Sequence, residues 1–372
     1  MGGISFLFGT VTAAHNAGCL RDLRCHLDRT PSLEWIRETA SELPGYWDLL
    51  VGKLPAMNGS FPGRQILDDF DRWLRQGLNP EEDSVALGNT VLLPLVVMVG
   101  LTEFWQYVES TNAEWEDPLQ ELLNRPGADE ASSVESFGLC AGMLTAYAVA
   151  SSHTRNELER YGAAAVRLAM MIGAAIDAQD AWHGPAKSYV AAWRTPEQGE
   201  QLKRTIDLVY PEAYISVWYD ERRVTITTTA QWIRPSILRQ PQGAGLTIAD
   251  STIQGRPHYP ETESKHIADA ICELCADSVV LQLADVSKLA FRTYTNDGHG
   301  DPVRSNSLHE VAVRSSLATQ LCGMTPFQPY LSRMKIQPRR SFRLGLIAAY
   351  LLRWLRQWAE MDSCLGLESS WC

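Results

Sequence analysis

The sequence predicts an α/β protein, and three observations carry that prediction. The chain opens on a short strand-like run, Ile4-Ser5-Phe6-Leu7-Phe8-Gly9. A cysteine flanked by glycines, in Ser136-Phe137-Gly138-Leu139-Cys140-Ala141-Gly142-Met143, has the pattern of a strand turning sharply into a helix. Residues 186–253 then run through short segments in the order β-α-β-β-α-β, the split βαβ pattern of a ferredoxin-like module.

Each element follows from local pattern. Residues 17–57 read as amphipathic helix, because Trp35, Ile36, Leu43, Trp47 and Leu50 recur at helical spacing. A turn-rich break at 55–63 precedes helix over 64–78, and Asn79-Pro80-Glu81 marks the next boundary. Residues 92–109 form a strongly apolar helix carrying Phe104, Trp105 and Tyr107, and the acidic stretch 110–133 is a surface loop or frayed helix. After the cysteine come an Ala-rich helix over 143–151 and a long helix over 156–179. In the module, strands are expected at 189–193, 213–219, 223–229 and 246–253, with helices at 197–210 and 233–240. From residue 265 the chain is mainly helical. The expected division is a core of residues 1–185 and 254–332, the ferredoxin-like subdomain 186–253, and a basic, helical C-terminal extension over 333–372.

Composition narrows the function classes. With 372 residues, 45% apolar and 21% charged, the chain can bury a large core. Its formal charge of −11 argues against a general nucleic-acid surface and against an anionic membrane. The longest apolar run, 91–101, contains Pro94 and is too short to span a bilayer, so no membrane partner is expected. The opening run reads as a strand and not as a secretory leader. Eight cysteines are scattered along the chain, and the C-x-x-C of Cys272 and Cys275 lacks a second pair to complete a zinc site. No metal and a reducing, cytoplasmic setting are the expectations.

Cys140 is the candidate nucleophile. At the apex of the turn it meets the positive end of the following helix, which predicts a lowered thiol pKa. The alternative is a buried structural cysteine in a small-residue packing site, and the motif alone does not separate the two.

Other stretches bear on the choice. Leu7-Phe8-Gly9, then Leu93-Pro94-Leu95-Val96-Val97 with Phe104-Trp105-Gln106-Tyr107-Val108-Glu109, then Gly255-Arg256-Pro257-His258 follow one another in that order. With an elbow-like nucleophile and a histidine just beyond the inserted module, this organisation is similar to that of the acyl-carrier-protein acyltransferases. Within them the chain resembles, over residues 4–332, the starter-unit transacylase (SAT) domain of fungal non-reducing polyketide synthases. Malonyl-transferring relatives place a serine where Cys140 stands, whereas the starter-unit branch uses cysteine.

The resemblance implies a hydrolase-like acyltransferase core with the ferredoxin-like subdomain inserted. It implies a Cys140–His258 dyad and an oxyanion hole made by the Ala141 N–H and a backbone donor after the first strand. There the family's glutamine matches Val11. Malonyl-transferring relatives hold the substrate carboxylate with the second arginine of V-R-L-x-x-x-R-G, and this chain reads Val166-Arg167-Leu168-Ala169-Met170-Met171-Ile172-Gly173. Isoleucine cannot pair a buried carboxylate, so a neutral acyl group is expected, with Ile172 and Met143 lining an apolar pocket. No bound cofactor is implied; substrates would arrive on CoA or 4′-phosphopantetheine. The partners implied are an acyl carrier protein, an acyl-CoA or fatty acid synthase carrier, and other polyketide synthase domains.

The chemistry agrees with these residue types. Thiolate and thioester are near-isoenergetic, so a cysteine suits reversible acyl transfer, and a neutral imidazole can carry the thiol proton. Three other histidines compete with His258. His153 is expected far along the helix that Cys140 opens, His266 on a charged helix face, and His309 where it could orient the catalytic imidazole. Two further readings stay open: a thioester hydrolase using the same dyad, and a decayed domain that only binds carrier protein. The first asks for an acid behind the imidazole, for which no clearly placed residue is found. The second is suggested by Val11 and by the tail, whose basic run Arg333, Lys335, Arg339, Arg340 and Arg343 has no counterpart in the resemblance.

Overall fold

Two sheets organise the chain. The computed structural model describes residues 4–9, 16–77, 87–111, 116–123, 134–230, 237, 245–251, 253–296, 303, 307–319 and 321–322. In the first sheet β1 (Ile4–Phe8) lies parallel to β2 (Val134–Gly138), in register from Ile4 opposite Val134 to Phe8 opposite Gly138. β7 (Arg292–Thr293) pairs with the other edge of β2, also parallel. β2 is therefore central and nearly all buried, as a parallel strand covered on both faces should be.

Helices cover this sheet. The expected continuous helix over 17–57 is interrupted: α1 (Asn16–Arg29) and α2 (Glu34–Lys53) are separated by a 3-10 turn at Pro31–Leu33. Pro31 disfavours helical angles at Thr30 and supplies no N–H, so the helix must restart. α3 (Gly63–Gln76) ends at Gly77, whose φ of 70° makes a left-handed cap. α4 (Asn89–Thr111) is one helix with Pro94 inside it, longer than the apolar run read from sequence.

α4 and α7 (Arg155–His183) are each long and apolar enough to cross a bilayer, yet their most apolar windows are 72% and 89% buried within the fold. They are the paired central helices of the core. A Cβ on Gly173 would stand 2.0 Å from the Asn89 carbonyl oxygen, so only glycine permits this approach. The Asp177 carboxylate accepts the Asn89 N–H at 3.0 Å and the Thr90 N–H at 2.8 Å, capping α4 from its neighbour. α7 itself starts with Thr154 Oγ1 accepting the Glu157 N–H, while the Glu157 carboxylate accepts the His153 N–H.

The second sheet has the expected ferredoxin-like order. β3 (Lys187–Ala192), α8 (Pro196–Val209), β4 (Ala213–Asp220), β5 (Arg223–Thr228) and β6 (Thr247–Asp250) give the antiparallel arrangement β6-β3-β5-β4. The helix expected over 233–240 and the extension 333–372 lie outside the described residues, Ile237 apart. One strand was not anticipated. β8 (Leu321–Cys322) joins the outer edge of β4 in parallel, setting Leu321 opposite Val217. α6 (Gly142–Ala150) packs on the first sheet, and α5 (Pro118–Leu123), α9 (Thr262–Asp277) and α10 (Leu308–Leu317) complete the main core around it.

Candidate active site

The turn between β2 and α6 is a tight elbow. Leu139 N–H donates to the Phe8 carbonyl at 2.9 Å, and Cys140 then adopts φ 53°, in the left-handed region. A Cβ on Gly138 would lie 2.1 Å from the Gly142 carbonyl oxygen, and one on Gly142 would lie 2.3 Å from the Phe8 carbonyl oxygen. Both glycines of G-x-C-x-G thus let backbone meet backbone, and the strained residue between them costs about 1–3 kcal/mol. Cys140 is a half-buried free thiol packed against Leu139, Val217 and Leu321. The Ala141 N–H, at the mouth of α6, donates to it.

One expectation is overturned here. The thiol is not acidified by the helix; burial pushes it up to about 11, and the Ala141 hydrogen bond offsets that only partly. Loss of water around the sulfur outweighs one helix end. A thiol held this way would need a base beside it to act as a nucleophile at neutral pH.

His258 sits in the loop that follows the second sheet, and it too has a left-handed backbone, φ 58°. Its imidazole is 1% exposed. Nδ1 lies 2.7 Å from the Ser315 carbonyl and 3.2 Å from the Thr319 carbonyl, and its backbone N–H donates to the Ser316 carbonyl at 2.9 Å. Two carbonyl acceptors require a proton on Nδ1, so in the neutral ring Nε2 carries the lone pair. Nε2 is buried and has no hydrogen-bond partner among the described residues. Burial lowers the imidazole pKa, against the two carbonyls that raise it. The ring is thus a neutral base at pH 7, and the carboxyl end of α10 favours the imidazolium it becomes.

A latch fixes this loop. Gly255, at φ 73°, turns the chain, and the Asn89 side chain donates to the Asp177 carboxylate at 2.9 Å and to the Gln254 carbonyl at 3.4 Å. Arg256 donates to the His183 and Gly184 carbonyls at 3.0 and 3.3 Å and lies 3.6 Å from Asp180. From the second sheet, Tyr214 on β4 donates to the Pro257 carbonyl at 2.8 Å.

Residues 55–232 match the family described as starter unit:ACP transacylase in aflatoxin biosynthesis. A non-reducing polyketide synthase of Aspergillus terreus is 39% identical over 325 residues, which is 85% of this chain and 12% of that protein. The iterative polyketide synthase afoE of Emericella nidulans is 38% identical over 328 residues, again 85% of this chain and 12% of the relative. The chain belongs to the starter unit:ACP transacylase family. It spans about an eighth of the length of those curated relatives. The fold is that of the malonyl transacylases. A malonyl-transacylase solved with its type II PKS acyl-carrier protein has a TM-score of 0.54 at 14% identity, covering 89% of this chain and 86% of that one. The enzyme from Streptococcus pneumoniae gives 0.51 at 13% identity, covering 90% and 85%.

The remaining predicted site residues of this starter-unit transacylase relative are placed as follows. Ile172 and Met143 are both fully buried in the main core, and the Met143 sulfur accepts from Asn296 Nδ2 at 3.5 Å. Arg167 turns away to Glu42 at 2.6 Å and stacks over Tyr46. Val11 lies outside the described residues. His153 is not on the cysteine's helix: α6 ends at Ala150, and the exposed His153 ring meets the Lys288 carbonyl at 2.9 Å. His266 is exposed on α9. His309 does not orient His258; its Nε2 meets Ser307 Oγ at 2.9 Å. The orienting groups are the Ser315 and Thr319 carbonyls, which leave no side-chain signature in a sequence. Cys272 and Cys275 are buried free thiols, pushed up to about 11 and 12 by burial.

Proposed function

We propose that this chain is a starter-unit acyltransferase, moving a neutral acyl group from acyl-CoA or acyl-ACP through a Cys140 thioester to the phosphopantetheine thiol of a polyketide synthase carrier protein. One observation carries the reading. Among the described residues, Cys140 and His258 are the non-glycine positions with positive φ, and such strain persists where a site demands it. In the first half-reaction the lone pair on His258 Nε2 takes the Cys140 proton. The sulfur attacks the thioester carbon, the C–S bond to CoA breaks, and the imidazolium returns the proton to the leaving thiolate. The second half-reaction runs the same steps with the carrier thiol attacking and Cys140 leaving. The Ala141 N–H supports the oxyanion in both.

A neutral acyl group is favoured because the cluster around the thiol is apolar. On the neighbouring strand Arg223 is held by the Asp220 carboxylate at 2.6 and 2.9 Å. A hydrolase reading asks for a carboxylate behind the imidazole, and main-chain carbonyls hold that place. The setting proposed is cytoplasmic, where CoA and carrier thioesters are found, with no resident cofactor. The test is intact-mass spectrometry after incubation with acetyl- or hexanoyl-CoA. One acyl adduct is expected on the protein and none on Cys140→Ala; an adduct that survives the substitution removes Cys140 from the role. Carrier protein added next should gain the acyl group, whereas free acid would indicate hydrolysis.

A further inference from the structure

Strand β4 is irregular in a way that aims its side chains. Ile215 pairs with Ile226 and Val217 with Thr225, leaving Ser216 as an extra residue; Trp218 pairs with Val224 and Asp220 with Arg223, leaving Tyr219 as a second. Strict alternation would send Tyr214 and Val217 to opposite faces. With the bulges, Ala213, Ile215 and Trp218 pack on the module's own core, while Val217 and Tyr219 face the cluster that also holds Cys140. At the other end of the strand Tyr214 holds the turn of His258.

Tyr219 is thus delivered to the nucleophile by a sheet that does not carry it. Its ring packs on the same Leu139–Val217–Leu321 cluster as the thiol. Thr225 Oγ1, wholly buried, donates to Tyr219 Oη at 3.0 Å and pins the ring from behind. A rigid aromatic face beside a sulfur occupies space that an acyl chain on that sulfur must use.

We infer that Tyr219 is the specificity-determining wall of the acyl site, limiting the length of the group that Cys140 can carry. The inference rests on the acyltransferase reading for its substrate class, but not for its geometry. Shortening the ring opens space, and in a close-packed site a few methylenes of extra room are worth about tenfold in discrimination.

Two measurements test it. In the first, Cys140 acylation rates with acetyl-, hexanoyl- and decanoyl-CoA are compared for the native protein, Tyr219→Ala and Tyr219→Phe. Tyr219→Ala should move the decanoyl-to-acetyl ratio toward the long chain by about tenfold or more, and Tyr219→Phe should keep the native ratio. In the second, the same variants react with methyl and hexyl methanethiosulfonate, and modification of Cys140 is read by peptide mapping. Tyr219→Ala should again favour the longer reagent. If the thiosulfonate ratio does not change, the wall is absent, whatever the protein does with CoA. If that ratio shifts while no acyl-CoA reacts, the wall stands and the transferase reading falls. A folded Tyr219→Ala with both ratios unchanged overturns the inference.

Discussion

Cys140 and His258 share a left-handed backbone, yet the two turns are built by opposite means. The cysteine elbow carries its device in its own residues: Gly138 and Gly142, two residues to either side, make room for the close backbone contacts that hold it, the first within the turn and the second with Phe8 of β1. The histidine turn is assembled from a distance. Its ring rests on carbonyls 57 and 61 residues away, its flanking proline on Tyr214 from another sheet, and its leading glycine beside α7. A local device tolerates little change at its own residues, whereas a distributed one can be loosened from several directions.

The sharpest break in this comparison is chemical. His258→Ala should slow self-acylation of Cys140 by about 10²–10⁴-fold, measured as adduct formation against time, with the melting transition retained. Unchanged acylation would leave the histidine turn without a catalytic role.

Next come the two glycines. Gly138→Ala drives a Cβ into backbone that cannot move aside, so several kcal/mol of stability, about 3 or more, should be lost in a urea titration. Gly255→Ala meets the Ile176 side chain at 2.5 Å and a φ of 73°; a side chain can yield, so about 1–3 kcal/mol is expected. If Gly255→Ala proves the costlier of the two, the local-versus-distributed contrast is wrong.

A smaller effect is expected from the second sheet. Tyr214→Phe removes one hydrogen bond to the Pro257 carbonyl, worth about 1 kcal/mol, and should slow acylation without altering acyl preference. A change in stability with no change in rate would confine Tyr214 to packing.

The smallest effect is in pH. His258 is held below the ordinary histidine value of 6.5 by burial. As pH falls through 6.5 the unfolded chain takes up this proton while the folded one does not. The group's stability contribution is therefore complete above pH 6.5 and is lost as pH drops toward the folded value. The acid limb of acylation should accordingly lie below pH 6.5. Alkylation of Cys140 in His258→Ala should keep rising with pH toward about 11, since burial and not the helix end governs the thiol.

The elbow was legible because its stereochemical requirement falls on adjoining residues: glycines at minus two and plus two let backbone meet backbone, even though the backbone that Gly142 meets is that of Phe8 in β1. The ferredoxin-like strands were legible for the same kind of reason, since alternation and turn chemistry act within a few residues. The break at Thr30-Pro31 was visible in principle, because Pro31 announces it, but the helical spacing on either side masked it. β8 could not be read, as two residues carry no periodicity.

The sequence by itself determined the glycine-flanked turn at Cys140, the inserted module and the position of His258 beyond it, all properties of neighbouring residues. Only the tertiary structure decided the protonation chemistry. The thiol's pKa rises because Leu139, Val217 and Leu321 converge on it from three parts of the chain, and the imidazole's tautomer is set by backbone carbonyls of α10 and the residues after it. Desolvation and main-chain hydrogen bonds belong to the assembled fold, so the positive helix end that the sequence shows beside Cys140 was the weaker force.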